Sequence, residues 1–286
     1  MANELKGRVA IVTGGSKGIG SATVEVFAEE GASVVIADLD TTNGEALAER
    51  LGSQVRFRRT DVEDKSDVQA LVDYAVAEFG ALHVMFNNAG ISGTFHNRFL
   101  NDPLEDFDKV MHINLAGVMY GSQIAARQMV KQGSGGSIIN TSSISALAPS
   151  YAVLTYRAAK AGVITFTKSL AVDVGEYGIR VNAIAPGHIP TSLNHFPELG
   201  LTAKQLLALQ KALDPVYKIN QPLKRDGSPR DVANTALFFA SERSAQVSGQ
   251  VIAVDGAVTA GDPINLHALL VEAREKFLKE LGSVRP

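Results

Sequence analysis

The sequence predicts a doubly wound α/β fold: one sheet of seven parallel strands, helices on both of its faces, and a helical extension at the carboxyl end. Three observations carry this. Short runs rich in Val and Ile alternate with longer stretches of helical period, the rhythm of βαβ units. Within most runs the apolar residues follow one another instead of alternating with polar ones, so both faces of those strands should be covered. Of 286 residues, 45% are hydrophobic and 20% charged, enough apolar side chain for a full core and too much for a disordered chain.

Taken in order, strands are predicted over 8–13, 33–38, 54–59, 82–87, 137–141, 180–184 and 250–254. The first (RVAIVT) feeds a glycine-rich turn and a helix over 18–30; the second (SVVIAD) ends on an acid and leads to a helix over 42–51. A helix over 65–79 follows the third strand with Asp64 as its N-cap, and a long one over 103–131 follows the fourth with Asp102 as cap. The run GSGGS (133–137) is a tight loop into the fifth strand, after which 155–175 reads as helix. Residues 188–224 are irregular apart from a short helical pattern over 203–213 bracketed by prolines, and loops of this length in compact domains are usually binding loops. Ser228 caps a helix over 229–240. In the last segment, 262–286, Leu266, Leu269, Leu270, Ala273, Phe277 and Leu281 recur at helical spacing opposite Glu272, Glu275, Lys276, Lys279 and Glu280. No linker or repeat breaks the rhythm, so 1–286 is expected to form a single domain.

Composition excludes several classes of function. With 27 basic and 30 acidic residues the net charge is −3, far from the positive field that nucleic acid or an anionic membrane requires. The absence of cysteine excludes disulfides, thiol catalysis and cysteine-bound metal. Six histidines, His83, His96, His112, His188, His195 and His267, include no HxxxH pair, so no metal is expected. The start, MANELKGRVAIVTGG, lacks the features of a signal peptide, and no apolar run reaches the ~18 residues of a membrane helix; a cytoplasmic location is expected.

Chemistry enters at two places. Thr13-Gly14-Gly15-Ser16-Lys17-Gly18-Ile19-Gly20 stands between a strand and a helix, where glycines let the backbone approach a pyrophosphate held at the helix's positive end. Asp38 closes the next strand 18 residues beyond Gly20, near the ~20 expected of an acid that binds the adenosine ribose. Its carboxylate would repel a 2′-phosphate, which favours NAD over NADP. Lys17 argues the other way if it faces that phosphate, and is otherwise a solvated loop charge. Asp61 and Val62 after the third strand flank the adenine, unless Asp61 is only a loop acid.

The second place is the pair Tyr156 and Lys160, four apart and so on one face of a helix whose sequence is apolar nearly all round. A tyrosine must lose about two to three pKa units, roughly 3 to 4 kcal/mol, to act as a base at neutral pH. An ammonium at ~4 Å in an effective dielectric of ~20 supplies on the order of 4 kcal/mol. Ser143 ends the preceding strand region 13 residues earlier, where it serves either as a hydrogen-bond donor to substrate or as an N-cap.

These residues together resemble the classical short-chain dehydrogenase/reductase family, over residues 8–261. TGGSKGIG is similar to its TGxxxGxG, Asn87-Asn88-Ala89-Gly90 to its NNAG, and Ser143 with Tyr156-Arg157-Ala158-Ala159-Lys160 to its serine and YxxxK. Asn114 resembles the fourth catalytic position, and Pro186-Gly187 with Ile189 and Thr191 resembles the PGxxxT segment that holds the nicotinamide amide. The resemblance implies a Rossmann-type fold and an oxidoreductase in which Tyr156 exchanges the proton with an alcohol or carbonyl oxygen. Lys160 would lower the tyrosine's pKa and bind the nicotinamide ribose, Ser143 would fix the substrate oxygen, and Asn114 would hold a water that links Lys160 to solvent. The implied cofactor set is Gly14, Ser16, Lys17, Gly18, Ile19, Gly20, Asp38, Leu39, Asp61, Val62, Asn88, Ala89, Gly90, Tyr156, Lys160, Pro186, Gly187, Ile189 and Thr191.

The pocket is expected among Ser92, Phe95, His96, Ser145, Ala146, Leu147, Tyr151, His188, Leu193 and Phe196, a largely apolar set that suits a neutral, fairly hydrophobic secondary alcohol or ketone. Arg98 contradicts this if it faces inward. Residues 113–128 carry one formal charge, Arg127, and the Tyr156 helix is similarly bare, so each should bury a second face, either under the sheet and outer loops of its own monomer or against other subunits; the resemblance implies the latter, and a homotetramer built on these two helices is expected. The terminal helix packs either on its own subunit or beside a neighbour's pocket. The rival readings are an NADP-linked carbonyl reductase and a non-catalytic nucleotide-binding scaffold.

Overall fold

In the computed structural model, which describes residues 3–191, 200–264 and 266–283, the seven strands form one parallel sheet in the order β3-β2-β1-β4-β5-β6-β7. They are β1 (Val9–Thr13), β2 (Ser33–Asp38), β3 (Val55–Arg59), β4 (Val84–Asn87), β5 (Gly136–Thr141), β6 (Ile179–Pro186) and β7 (Val251–Val254). The helices are α1 (Gly18–Glu29), α2 (Thr41–Leu51), α3 (Lys65–Phe79), α4 (Phe107–Met111), α5 (Gly117–Gln132), α6 (Ile144–Leu147), α7 (Leu154–Asp173), α8 (Ala203–Tyr217), α9 (Pro229–Ala240) and α10 (Leu266–Ser283).

The period of two along each strand sorts the core into two layers. Ala10, Val12, Val34, Ile36, Phe86 and Ile139 pack against α1 and α9, whereas Ile11, Val35, Ala37, Met85 and Ile138 pack against α3 and α5. Coverage on both faces, as expected, holds for the central strands. It fails at the edges: β3 carries Arg56, Arg58 and Arg59 half-buried or exposed, and β7 is only half-buried along its length.

Strand order reverses between β1 and β4, so the crevice of this fold opens at the carboxyl ends of those two strands. Beneath it lies a buried polar chain. Asn87 Nδ2 donates to Ser122 Oγ at 3.0 Å and to Asn140 Oδ1 at 2.9 Å, and Asn140 Nδ2 donates to Thr167 Oγ1 at 2.9 Å, joining β4, α5, β5 and α7. Only glycine fits at 121, because a Cβ there would stand 2.1 Å from Asn87 Oδ1.

Several boundaries differ from the sequence reading. The long helix does not begin at Pro103 under an Asp102 cap. Asp102 instead accepts from the Leu104 amide at 2.9 Å and lies 3.8 Å from His96, while Leu104 takes a left-handed φ of 58°, and helix starts at Phe107. One widened turn of π geometry, His112–Ala116, joins α4 to α5. Helix α8 runs on to Tyr217 with Pro215 inside its last turn, and β6 continues through Pro186. Asp64 and Ser228 cap α3 and α9 as expected, by accepting from Ser66 N and Asp231 N. Leu193, His195 and Phe196 lie outside the described residues. On the terminal helix α10, Leu266, Leu269, Leu270, Phe277 and Leu278 are all more than half exposed among the described residues.

Candidate active site

The glycine loop is tied to the loop after β4 by Thr13. Its Oγ1 accepts from Asn88 N at 2.9 Å and Ala89 N at 3.1 Å, and Asn88 Nδ2 returns a bond to Thr13 O at 3.0 Å. Gly14 takes φ +62° and lies so close to Ala89 that a Cβ would stand 2.9 Å from its Cα; a Cβ on Gly20 would fall 2.0 Å from Gly14 O. Helix α1 starts at Gly18 under Lys17 with no side-chain cap, so the amino end that Ile19 and Gly20 open is left for an anion. The loop after β6 meets it there, with Thr191 Cγ2 3.1 Å from where a Cβ of Gly18 would be. Pro186 ends β6, Gly187 N donates to Val254 O at 2.9 Å, and Ile189 is buried behind them.

At the end of β2, Asp38 accepts from Ser16 N and from Asp40 N, both at 3.0 Å, so one carboxylate shapes both loops of the crevice. Each of its oxygens keeps acceptor capacity for a ribose hydroxyl. Leu39 is exposed beside it. Lys17 is a half-exposed loop charge, ion-paired with Asp40, whose carboxyl is held down at about 2 by that ammonium first and by the Asn43 backbone and side chain second. Asp61 accepts from Glu63 N at 3.0 Å, a local turn, and Val62 packs on Gly117 of α5. The narrow glycine cradle, the open helix end and the carboxylate 22 residues after Ser16 fit an adenine dinucleotide.

At the other end of the crevice α7 presents Tyr156 and Lys160, 9% and 2% exposed. Ser143 caps the short helix α6 by accepting from Ser145 N at 3.1 Å, and its hydroxyl lies close enough to the Tyr156 phenol to favour the phenol's ionised form. Of the two uses weighed for this serine, the N-cap is the one the structure shows. Lys160 Nζ donates to Thr141 O at 2.9 Å and lies 5.7 Å from the centre of the Tyr156 ring.

The protein groups around Tyr156 by themselves oppose the expected depression of its pKa. Burial raises it, against the opposing pull of the Ser143 hydrogen bond and the Arg157 charge, and burial pushes Lys160 down to about 8. The ammonium donates a hydrogen bond to the Thr141 carbonyl, and at so buried a phenol the cost of ionisation prevails.

Asn114 sits in the widened turn, fully buried. Its Nδ2 donates to Ile91 O and Val110 O, both at 2.9 Å, and its Oδ1 accepts from Ile91 N at 3.2 Å. Both amide hydrogens are therefore used on backbone, and the visible work of this side chain is to fix Ile91 and the neighbouring Gly90. A Cβ on Gly90 would lie 2.6 Å from Asn114 Oδ1 and 3.4 Å from Lys160 Nζ, so these three residues are contiguous.

Around the mouth, Phe95, Leu147 and Tyr151 are exposed, Arg98 lies 5.1 Å above the Tyr151 ring, and His188 stacks on Tyr217 at 3.4 Å between centroids. Sequence reasoning missed the Lys17–Asp40 pair, the role of Thr13, and the buried bonds of Asn87 and Asn140. Only the last left a signal, polar residues inside otherwise apolar strands.

The sequence matches the family model described as Enoyl-(Acyl carrier protein) reductase over residues 14–259. The chain belongs to the short-chain dehydrogenase/reductase family. It is 38% identical over 262 residues to Momilactone A synthase of Oryza sativa subsp. japonica, covering 90% of this chain and 92% of that one. It is 38% identical over 277 residues to (+)-borneol dehydrogenase 2 of Salvia officinalis, covering 93% of both. A crystal structure of a short-chain type dehydrogenase/reductase from Mycobacterium marinum superposes with a TM-score of 0.80 at 31% identity, covering 91% of this chain and 98% of that one. As a short-chain dehydrogenase/reductase the chain is an oxidoreductase with a Rossmann-type sheet and a nicotinamide cofactor. Among the described residues no group of side chains could hold a metal ion, and no helix is long and apolar enough to cross a membrane.

Proposed function

We propose that this chain is an NAD-dependent dehydrogenase that interconverts a neutral, fairly hydrophobic secondary alcohol and its ketone. The observation that carries the choice of NAD is the loop after β2. Asp38 presents a carboxylate to the ribose position while the cation beside it, Lys17, is neutralised by Asp40 and not offered to a 2′-phosphate.

In this reading Tyr156 takes the proton from the alcohol oxygen on oxidation and returns it on reduction, and Ser143 donates a hydrogen bond to the same oxygen. The oxidised nicotinamide supplies, when bound, the hydride acceptor and a positive charge that adds to that of Lys160. Lys160 holds the ribose and biases the phenol toward ionisation, the direction that burial alone opposes. Asn114 keeps Gly90 and Ile91 in place beside Lys160.

Neutrality of the substrate rests on the cations near the phenol being engaged. Arg157 is spent on backbone carbonyls and Arg98 covers Tyr151. Similarity to (+)-borneol dehydrogenase 2, named for a compact apolar secondary alcohol, supports the same class. A homotetramer through α5 and α7 belongs to this proposal, on which Met119 and Val172 stand exposed. Titrating the protein with NADH and NADPH, then following reduced cofactor over a panel of neutral secondary alcohols, tests it. Tighter binding of NADH and turnover of apolar alcohols are expected; tighter binding of NADPH would overturn the use of Asp38.

A further inference from the structure

Between Ser143 and Tyr156 the chain makes an irregular excursion whose shape is not explained by its own secondary structure beyond the single turn α6. Four of its carbonyls converge on one side chain. Arg157 donates from Nε to Ala152 O at 3.1 Å, from Nη1 to Ser145 O and Ala148 O at 3.2 Å each, and from Nη2 to Tyr151 O at 3.1 Å. The first-turn helix bond from Arg157 N to Val153 O, at 3.0 Å, joins the end of the excursion to α7.

The two residues just before α7 are strained as well. Ala152 has φ 60° and Val153 φ 41°, left-handed backbone in residues with a Cβ, and in Val153 a β-branched one. Such conformations persist only where their surroundings over-determine them. We propose that Arg157 is a positioning residue that holds segment 145–153 in a single strained shape and thereby sets the substrate-facing wall beside Ser143 and Tyr156.

The wall is anchored from both sides. Arg157 grips its backbone from α7, and Arg98, from the loop after β4, lies 5.1 Å over the outward ring of Tyr151. A guanidinium is suited to this task because its planar fork addresses several carbonyls in fixed directions, which the three donors of a lysine ammonium on a flexible stem cannot reproduce. Burial lowers the pKa of Arg157 without taking it from the cationic state at neutral pH, so the strap is permanent.

The functional part of this inference rests on the proposed alcohol oxidation; the structural part does not, and the experiment separates them. Full-length wild type, Arg157→Gln and Arg157→Lys are compared by amide hydrogen exchange over 145–153, by NADH titration, and by the kcat and KM of a neutral secondary alcohol with NAD. For both variants exchange in 145–153 is expected to accelerate by about tenfold or more, since the segment loses the bonds that close it. The alcohol KM should rise by about tenfold in both variants, while NADH affinity in both, and kcat in Arg157→Lys, which keeps the charge near Tyr156, change by less than about threefold, as expected for loss of substrate positioning. Adding Val153→Gly to Arg157→Lys should recover part of the protection by removing the strain. Unchanged exchange in 145–153 overturns the strap whatever the activity. Accelerated exchange with an unchanged alcohol KM overturns the claim that this segment forms the substrate wall. Absence of any alcohol turnover in wild type refutes the proposed reaction and leaves the exchange result to decide the strap.

Discussion

Replacing Lys160 by methionine removes the one ammonium buried in the crevice, and the structure fixes both the sign and the size of the effect on stability. Lys160 is 2% exposed, and burial brings its pKa from the ordinary 10.5 down to about 8. The folded chain therefore sheds this proton near pH 8, while the unfolded chain keeps it until about 10.4. Between those values the unfolded state binds more protons, so stability rises with pH. Tyr156 acts the other way: burial raises its pKa, the unfolded chain loses the phenolic proton first, and stability falls above pH ~10.

The clean window is thus pH 8 to 10, worth about 2 to 3 kcal/mol at roughly 1.36 kcal/mol per unit. Urea denaturation of the cofactor-free protein and of Lys160→Met across that range measures it. Wild type should gain about 2 to 3 kcal/mol on the variant between pH 8 and 10, because groups common to both cancel. Loss of the bond to Thr141 O adds only a constant offset. Two curves running parallel through the window would refute the claim that the ammonium is held at a desolvation cost.

Three further outcomes follow from the same geometry. Gly20→Ala places a methyl 2.0 Å from Gly14 O, a backbone atom, so the cradle must open; NADH affinity by fluorescence titration should fall by about 100-fold or more, with thermal unfolding showing a folded chain. Asn140→Leu breaks the chain that links Asn87, Ser122 and Thr167 and strands their buried polar atoms, at about 2 to 4 kcal/mol in equilibrium unfolding. Lys17→Ala should shift the preference for NADH over NADPH by less than about threefold, since Lys17 is already paired with Asp40, and a shift of tenfold or more would show that the lysine reads the ribose.

The central strands were legible because two buried faces leave an unbroken apolar run, as in Val9–Thr13. The edge strand Val55–Arg59 reads less clearly, since three of its five residues are arginines that face solvent or edge. The glycine loop, Asp38 and the Tyr156–Lys160 pair were legible because each is a local pattern with a fixed spacing. What the sequence concealed depends on distant partners. Asp102 looks like a helix cap before a proline, yet the left-handed Leu104 two residues later forbids a helix there. The widened turn at Asn114 exists because its amide bonds Ile91, 23 residues away. Arg157 reads as one more residue on a helix face, and its role appears only when the loop carbonyls converge on it. The burial of Tyr156, which opposes ionisation of its phenol, escaped because spacing registers the nearby charge and not the desolvation.

The most direct test of the account is hydride transfer by Tyr156→Phe, measured with NAD and an alcohol that wild type oxidises, alongside NADH binding. Loss of the phenolic oxygen should lower kcat by about 10²- to 10⁴-fold and leave cofactor affinity within about threefold, because the ring still fills its buried site. A variant that oxidises the alcohol at a rate within a few-fold of wild type would contradict the assignment of Tyr156 as the acid/base.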